Sequence, residues 1–279
     1  MSSSSSSNTT ITAFHTSLCK LLNIRYPIMQ AGMSGFTTRE LVAAVSNAGG
    51  LGILGASRIM PEQLGDTISK IKKLTINPFG VNLLLAPPEK EGNQDIDQVQ
   101  QFLDNKFRQN LNIPSKTKKD ISLPPSRLSE QLQIILEEKI PVVSFAMGNP
   151  PAKLVVDQVH SSDNAKVMSM VTTVEEAVNV VRNGTDIVVA QGAEAGGHRS
   201  TFDIDSENDE ALPLIGTMTL VPQVVDALKR IQQEQVKKEE EDKKKNNNSN
   251  IPVIAAGGIA DIELEPVDLQ KYRKKHLLG

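Results

Sequence analysis

Asp186-Ile187-Val188-Val189-Ala190 runs directly into Gln191-Gly192-Ala193-Glu194-Ala195-Gly196-Gly197-His198. After its aspartate the first piece is continuously apolar, the pattern of a strand buried on both faces, as in a parallel sheet. The second piece gathers an amide, a carboxylate and an imidazole around a Gly-Gly pair. Glycine lets backbone approach a ligand closely and adopt positive φ. The three polar side chains are of the kind a site uses for hydrogen bonding and proton transfer. A solvent-exposed hairpin could collect the same residues, but it would need neither the Gly-Gly pair nor a strand without polar alternation.

Six more short apolar runs read as strands: residues 26–31, 51–54, 79–85, 141–146, 165–171 and 251–256. Helical patterns fall between them. Thr37 with Glu40 predicts a capping box for a helix carrying Leu41, Val42 and Val45 and stopping at Gly49-Gly50. Pro61 begins a second helix through Leu64, Ile68 and Ile71. Thr173 and Glu176 are expected to cap a third, with Val174, Ala177, Val178 and Val181 on its apolar face, and residues 220–231 form another with Val221, Val224, Val225 and Leu228 on one stripe. Strands alternating with helices imply parallel pairing, because parallel neighbours need crossover connections. Both an open doubly wound sheet and a closed barrel satisfy that alternation. Seven or eight units in this length favour an α/β fold of the (β/α)8 TIM type. In either architecture the ligand sits at the C-terminal ends of the strands.

Two stretches fall outside the alternation. Residues 86–127 are long and polar, with one helix expected over 96–107, and could form a lid over the loop after the third strand. Residues 234–250 combine blocked charges with an asparagine cluster and read as a solvated low-complexity insertion. The serine tract that opens the chain, residues 1–13, reads as a disordered tail and lacks the apolar core of a signal peptide.

With no Trp and 3% aromatic residues, the core must be built from aliphatic side chains and Met. A formal net charge of −3 gives no electrostatic case for nucleic acid or an anionic membrane, and no run is long enough to span one. The single cysteine, Cys19, excludes an internal disulfide and fits a reducing, cytoplasmic setting; among Leu18, Leu21 and Leu22 it reads as a small buried side chain.

Four loops that follow strands look chemical. Gln30-Ala31-Gly32-Met33-Ser34-Gly35 offers small residues for close contact with a flat ring. Gly80-Val81-Asn82 sets an amide in an apolar strand, where it must be paired. The Gln191–His198 segment is the third. Ala255-Ala256-Gly257-Gly258-Ile259-Ala260 offers bare amides of the kind that grip phosphate.

From residue 24 to 261 the chain resembles the nitronate monooxygenase family, FMN-dependent (β/α)8 barrels. The resemblance is carried by Tyr26-Pro27-Ile28-Met29-Gln30-Ala31-Gly32-Met33-Ser34-Gly35, Ser46-Asn47-Ala48-Gly49-Gly50-Leu51-Gly52, Phe79-Gly80-Val81-Asn82, Ala190 through Arg199, and Pro252-Val253-Ile254-Ala255-Ala256-Gly257-Gly258-Ile259. It implies an FMN-binding barrel over residues 14–261, with Met33, Asn82, Gln191, Gly196, Gly197, Gly257 and Gly258 contacting FMN. It implies His198 as the catalytic histidine, taking a proton from a nitroalkane or orienting the nitronate anion, a task suited to an imidazole. The implied reaction oxidises a small alkyl nitronate with O2 to a carbonyl compound and nitrite. The implied partners are that nitronate or nitroalkane and O2, with a homo-oligomer left open. Glu194 is expected to brace its loop, and His15, His160 and His276 to be surface or packing residues. Related flavin-dependent enoyl-acyl-carrier-protein reductases share a Gly-Gly-His loop, and a degenerate, non-catalytic flavin barrel is the third reading.

After Asp261 the chain departs from the family. Residues 262–279 contain nothing resembling a buried eighth strand followed by a glycine loop. The expectation is an incomplete, C-terminally truncated barrel with open strand edges. With half the phosphate grip missing, it is expected to be FMN-poor or poorly soluble.

Overall fold

The computed structural model describes residues 16–85, 94–111, 127–152, 156–162, 165–202, 214–241 and 251–259. The serine-rich start, much of the 86–127 insertion, residues 242–250 and the 262–279 tail lie outside them. Helices α1 (Ser17–Leu22) and α2 (Arg39–Asn47) precede β1 (Gly52–Gly55), α3 (Pro61–Leu74) and β2 (Phe79–Leu84). The insertion contributes α4 (Gln94–Leu103), a π-helical turn (Asp104–Arg108) and α5 (Gln109–Leu111). Then come α6 (Leu128–Glu137), β3 (Val142–Ala146), α7 (Asp157–His160), β4 (Lys166–Val171), α8 (Val174–Arg182), β5 (Ile187–Gln191), α9 (Thr217–Glu241) and β6 (Val253–Ala256).

The six strands form one sheet in sequence order, every neighbouring pair parallel. Alternate side chains go to opposite faces, and both faces are apolar. Ile53, Val142, Met168, Ile187 and Val189 pack on the concave side, with Met29, Met170, Ile254 and Ala256 against them. Val81, Leu83, Val143, Phe145 and Val167 face Leu64, Ile68, Ile71, Leu132 and Ile135 of α3 and α6. Val188 and Ala190 face Ala177, Val180, Leu220, Val224 and Leu228 of α8 and α9. The result is a half-barrel, an incomplete TIM-type α/β fold. Leu18, Cys19 and Leu22 of α1 join the inner cluster, and Cys19 is a free, buried thiol.

The expected first strand, 26–31, contracts to a single parallel bridge, Met29 with Leu51. The amides of Arg25 and Tyr26 both turn onto the Gly49 carbonyl at 2.9 Å, and Pro27 has no amide to give. One rung higher a side chain replaces backbone: the Ile53 amide donates to Gln30 Oε1 (3.3 Å), and Gln30 Nε2 donates to the Ile53 carbonyl (3.2 Å).

Two capping expectations shift. Thr38, not Thr37, caps α2 by accepting from the Leu41 amide, because Thr37 Oγ1 is held by Met33, accepting from its amide (2.7 Å) and donating to its carbonyl (2.8 Å). Thr173 caps α8 by accepting from the Glu176 amide (3.1 Å), but the Glu176 carboxylate does not return to Thr173. Fully buried, it accepts from the Thr172 amide (2.6 Å), Thr172 Oγ1 (2.9 Å) and the Phe202 amide (2.7 Å). It ties the end of β4 to the chain that follows His198. Removing it strands two backbone donors, so Glu176→Ala should cost about 3 kcal/mol in urea unfolding; a loss below about 1 kcal/mol would show that the carboxylate anchors nothing.

Candidate functional site

All strand-to-helix loops emerge at one end of the sheet, and the four chemical loops gather there. Gly32 packs against Asn82, since a Cβ at Gly32 would sit 2.6 Å from the Asn82 Cβ. Asn82 is buried, and both of its recorded hydrogen bonds use Nδ2, donated to Ser144 Oγ (3.2 Å) and the Ser144 carbonyl (3.3 Å). Ser144 stands opposite Asn82 in the ladder. It was not singled out from the sequence, although a lone hydroxyl in the apolar run 141–146 was the available signal. The following loop folds over the end of β1: a Cβ on Gly55 would lie 2.6 Å from the Ser34 amide nitrogen. Within it Met33 is exposed, and Ser34 Oγ is buried without a hydrogen-bond partner among the described residues.

The loop after β5 is held at both ends. Gln191 Nε2 donates to the His198 carbonyl (2.9 Å), and Gln191 Oε1 accepts from the Ser200 amide (2.8 Å). Arg199 Nη1 donates to the Gln191 carbonyl (3.1 Å). The buried Gln191 amide therefore shapes the loop from inside. Glu194 accepts at the first turn of α9 from the Thr217 amide (2.8 Å) and Thr217 Oγ1 (2.9 Å). Hydrogen bonding from the Thr217 amide, with help from its hydroxyl and from Arg199, holds the carboxyl below the usual carboxylate range. Glu194 braces the loop, as expected. Thr217, missed in the sequence, is the hub: its hydroxyl also lies 3.0 Å from the Gly257 carbonyl.

Two glycines make this junction possible. Any Cβ on Gly192 would collide with Thr217 Oγ1, and Gly257 adopts φ +120° with the Ala195 amide nitrogen 2.8 Å from where its Cβ would be. At the tip of the loop, by contrast, Gly196 and Gly197 have open space around them among the described residues, and His198 is exposed. No hydrogen bond to the His198 ring is recorded among the described residues. His160 lies elsewhere, with Nε2 2.8 Å from Asp186 Oδ2. A cavity of about 700 Å3 beside Cys19, Asn23, Gly49 and Pro78 lies at the opposite, N-terminal end of the strands and has no part in this cluster.

The residues fit a flavin. Its ring edge needs both donors and an acceptor, and its phosphate needs amides. Ser34 Oγ and Asn82 Oδ1 carry no recorded bond, and neither do the amides of Gly196, Gly197, Gly258 and Ile259 among the described residues. No group of three or more His, Cys, Asp or Glu residues able to hold a metal occurs among the described residues, and none of their helices is long and apolar enough to cross a membrane.

Residues 15–264 match the family model described as nitronate monooxygenase. The chain is 37% identical over 254 residues to a probable nitronate monooxygenase of Staphylococcus haemolyticus, covering 89% of this chain and 62% of the relative. A probable nitronate monooxygenase of Staphylococcus aureus (strain JH9) is 36% identical over 244 residues, covering 88% and 61%. The chain thus spans less than two thirds of the length of these relatives. Among solved structures, a nitroalkane oxidase from Streptomyces ansochromogenes superposes with a TM-score of 0.65 at 31% identity, over 88% of this chain and 61% of that one. FabK from Thermotoga maritima gives 0.59 at 30% identity, over 88% and 55%.

Because its folded pKa is lowered, Glu194 contributes stability that is fully present above the ordinary value of 4.5 and lost as pH falls through the folded value. Glu194→Gln should therefore be less stable than the parent at neutral pH, with the gap closing below pH 4.5. Thermal unfolding of both chains from pH 7 to about pH 3 reads this directly; a gap independent of pH would contradict it.

Proposed function

The chain belongs to the nitronate monooxygenase family, and on that footing we propose that the mouth formed by its strand ends binds FMN and oxidises small alkyl nitronates with O2 to a carbonyl compound and nitrite. The observation that carries this reading is the post-β5 loop, whose two ends are fastened by Gln191 and Glu194 while Gly196, Gly197 and His198 stay accessible. Met33, Asn82, Ser34, Gly196 and Gly197 would hold the ring end, and Gly257 and Gly258 the phosphate end. When bound, FMN supplies the electron acceptance and the reaction with O2.

The protein's own work is positional. Met33 and its neighbours present small, partly apolar surface to one side of a flat ligand. His198 takes the proton from the carbon bearing the nitro group, or pairs with the nitronate anion and orients it. Gln191 holds the His198 carbonyl, which keeps the imidazole at the mouth. Glu194 is committed to Thr217 and takes no part in proton transfer.

Replacing His198 by Ala should lower kcat/KM for a nitronate by about 100-fold or more while leaving FMN affinity unchanged. Flavin fluorescence titration and nitrite release report the two quantities separately. Unchanged turnover would remove His198 from the chemistry. The Gly196-Gly197-His198 loop, of the kind found in flavin-dependent enoyl-acyl-carrier-protein reductases, makes a reductase the second reading; rapid bleaching of bound FMN by NADH or NADPH without oxygen would favour it.

A further inference from the structure

The concave wall just below the strand ends carries a polar pair whose hydrogen-bonding groups are unequally spent. Asn82 of β2 and Ser144 of β3 are partners in the ladder, 6% and 3% exposed. They share their face of the sheet with Ile53, Val142, Met168 and Ile187. Asn82 Nδ2 donates to the Ser144 carbonyl (3.3 Å) and to Ser144 Oγ (3.2 Å). A carbonyl can only accept, so the amide is fixed with its nitrogen toward β3. Gly32 closes the side chain in from another direction: a Cβ there would stand 2.6 Å from Asn82 Cβ and 3.3 Å from Cγ.

An amide nitrogen has two protons to give, and Ser144 supplies two acceptors for them. Oδ1 is left over. It has no recorded partner among the described residues, and it is not sealed from solvent as Ser34 Oγ is. For the sheet alone, an apolar pair of the same shape would serve about as well as a hydrogen-bonded one. What the polar pair adds is one acceptor, held in one direction and open to the mouth.

We propose that Ser144 is a positioning residue for ligand recognition: by holding the Asn82 nitrogen it makes Oδ1 the only group that side chain offers, so the site selects a ring edge that donates a hydrogen bond. The inference rests on the flavin reading above and names the edge. An oxidised isoalloxazine ring has a single N–H, at N3, flanked by two carbonyl oxygens. An unrestrained asparagine could turn its nitrogen to those carbonyls instead. With the Ser144 hydroxyl removed the amide keeps one anchor in place of two, and the choice of edge is weakened.

The test is titration of the flavin-free full chain, read by flavin fluorescence, with FMN and with N3-methyl-FMN, whose ring has no proton to donate. The parent should bind FMN about tenfold or more tighter than N3-methyl-FMN. Ser144→Ala should cut that preference to about threefold or less, and Asn82→Leu should abolish it. Ser144→Cys keeps the shape of the side chain but offers only a weak acceptor, and it gives the same ratio if Ser144→Ala does not fold. General loosening of the sheet would weaken both flavins and leave the ratio unmoved. A parent that binds both flavins equally, or a position-144 variant that keeps the parent's ratio, would overturn the role of Ser144. So would a preference that survives in Asn82→Leu, since it would report only the bulk of the methyl group. A parent that binds neither flavin would instead remove the flavin reading, and this proposal with it.

Discussion

The parallel ladder from Leu51 to Ala256 is the constraint on which everything else depends. Because each strand runs the same way as the one before, the chain must cross back through a helix every time. All loops leaving the strands are thus thrown to one end, and all loops entering them to the other. Residues far apart in sequence, such as Met33, Asn82, His198 and Gly258, are brought to the same end of the sheet only through this repeated direction. The same constraint explains why β2, β3 and β5 carry almost no alternation of polar and apolar residues. Their inner face meets the concave cluster and their outer face meets the helices, so neither face can be polar without a partner. Asn82 and Ser144, set side by side in the ladder, answer that demand by bonding each other.

Upon that scaffold the chemical loop is made firm at its flanks and free at its tip. Three polar side chains do this: Gln191 donates to the His198 carbonyl and accepts from the Ser200 amide, the exposed Glu194 accepts at the start of α9, and the buried Glu176 accepts from Phe202. A carboxylate at the first turn of a helix is favoured by the helix dipole as well as by direct hydrogen bonds. The glycines divide into two kinds. Gly192 and Gly257 are small because backbone from a neighbouring loop lies against them. Gly196 and Gly197 have no described residue within 4 Å of where a Cβ would stand.

Family membership and the strand-end cluster point to the same end of the sheet, while the larger cavity lies at the other. The proposed site rests on the geometry of the loops rather than on the size of a hole.

Much of this was legible in the chain itself. Continuous apolar runs between helical patterns gave six of the seven expected strands within a residue or two at each end, and the glycine-bearing loops marked the chemical end of the sheet. The first strand was overestimated because 26–31 is apolar enough, yet Pro27 has no amide and the Tyr26 amide turns onto Gly49, leaving only the bridge around Met29. Local pattern also named the capping residues of α2 and α8 only approximately, since Thr37 and Glu176 had better partners elsewhere. Sequence alone determined the positions, parallel direction and burial of the strands, because periodicity is a local property, whereas their order in the sheet came from the fold. Only the tertiary structure decided that Gln191 is spent on holding the loop, that Glu194 braces it through Thr217, and that Ser144 pairs with Asn82. The partners of Glu194 and Asn82 sit 23 and 62 residues away along the chain, and a hydrogen bond is chosen by distance in space.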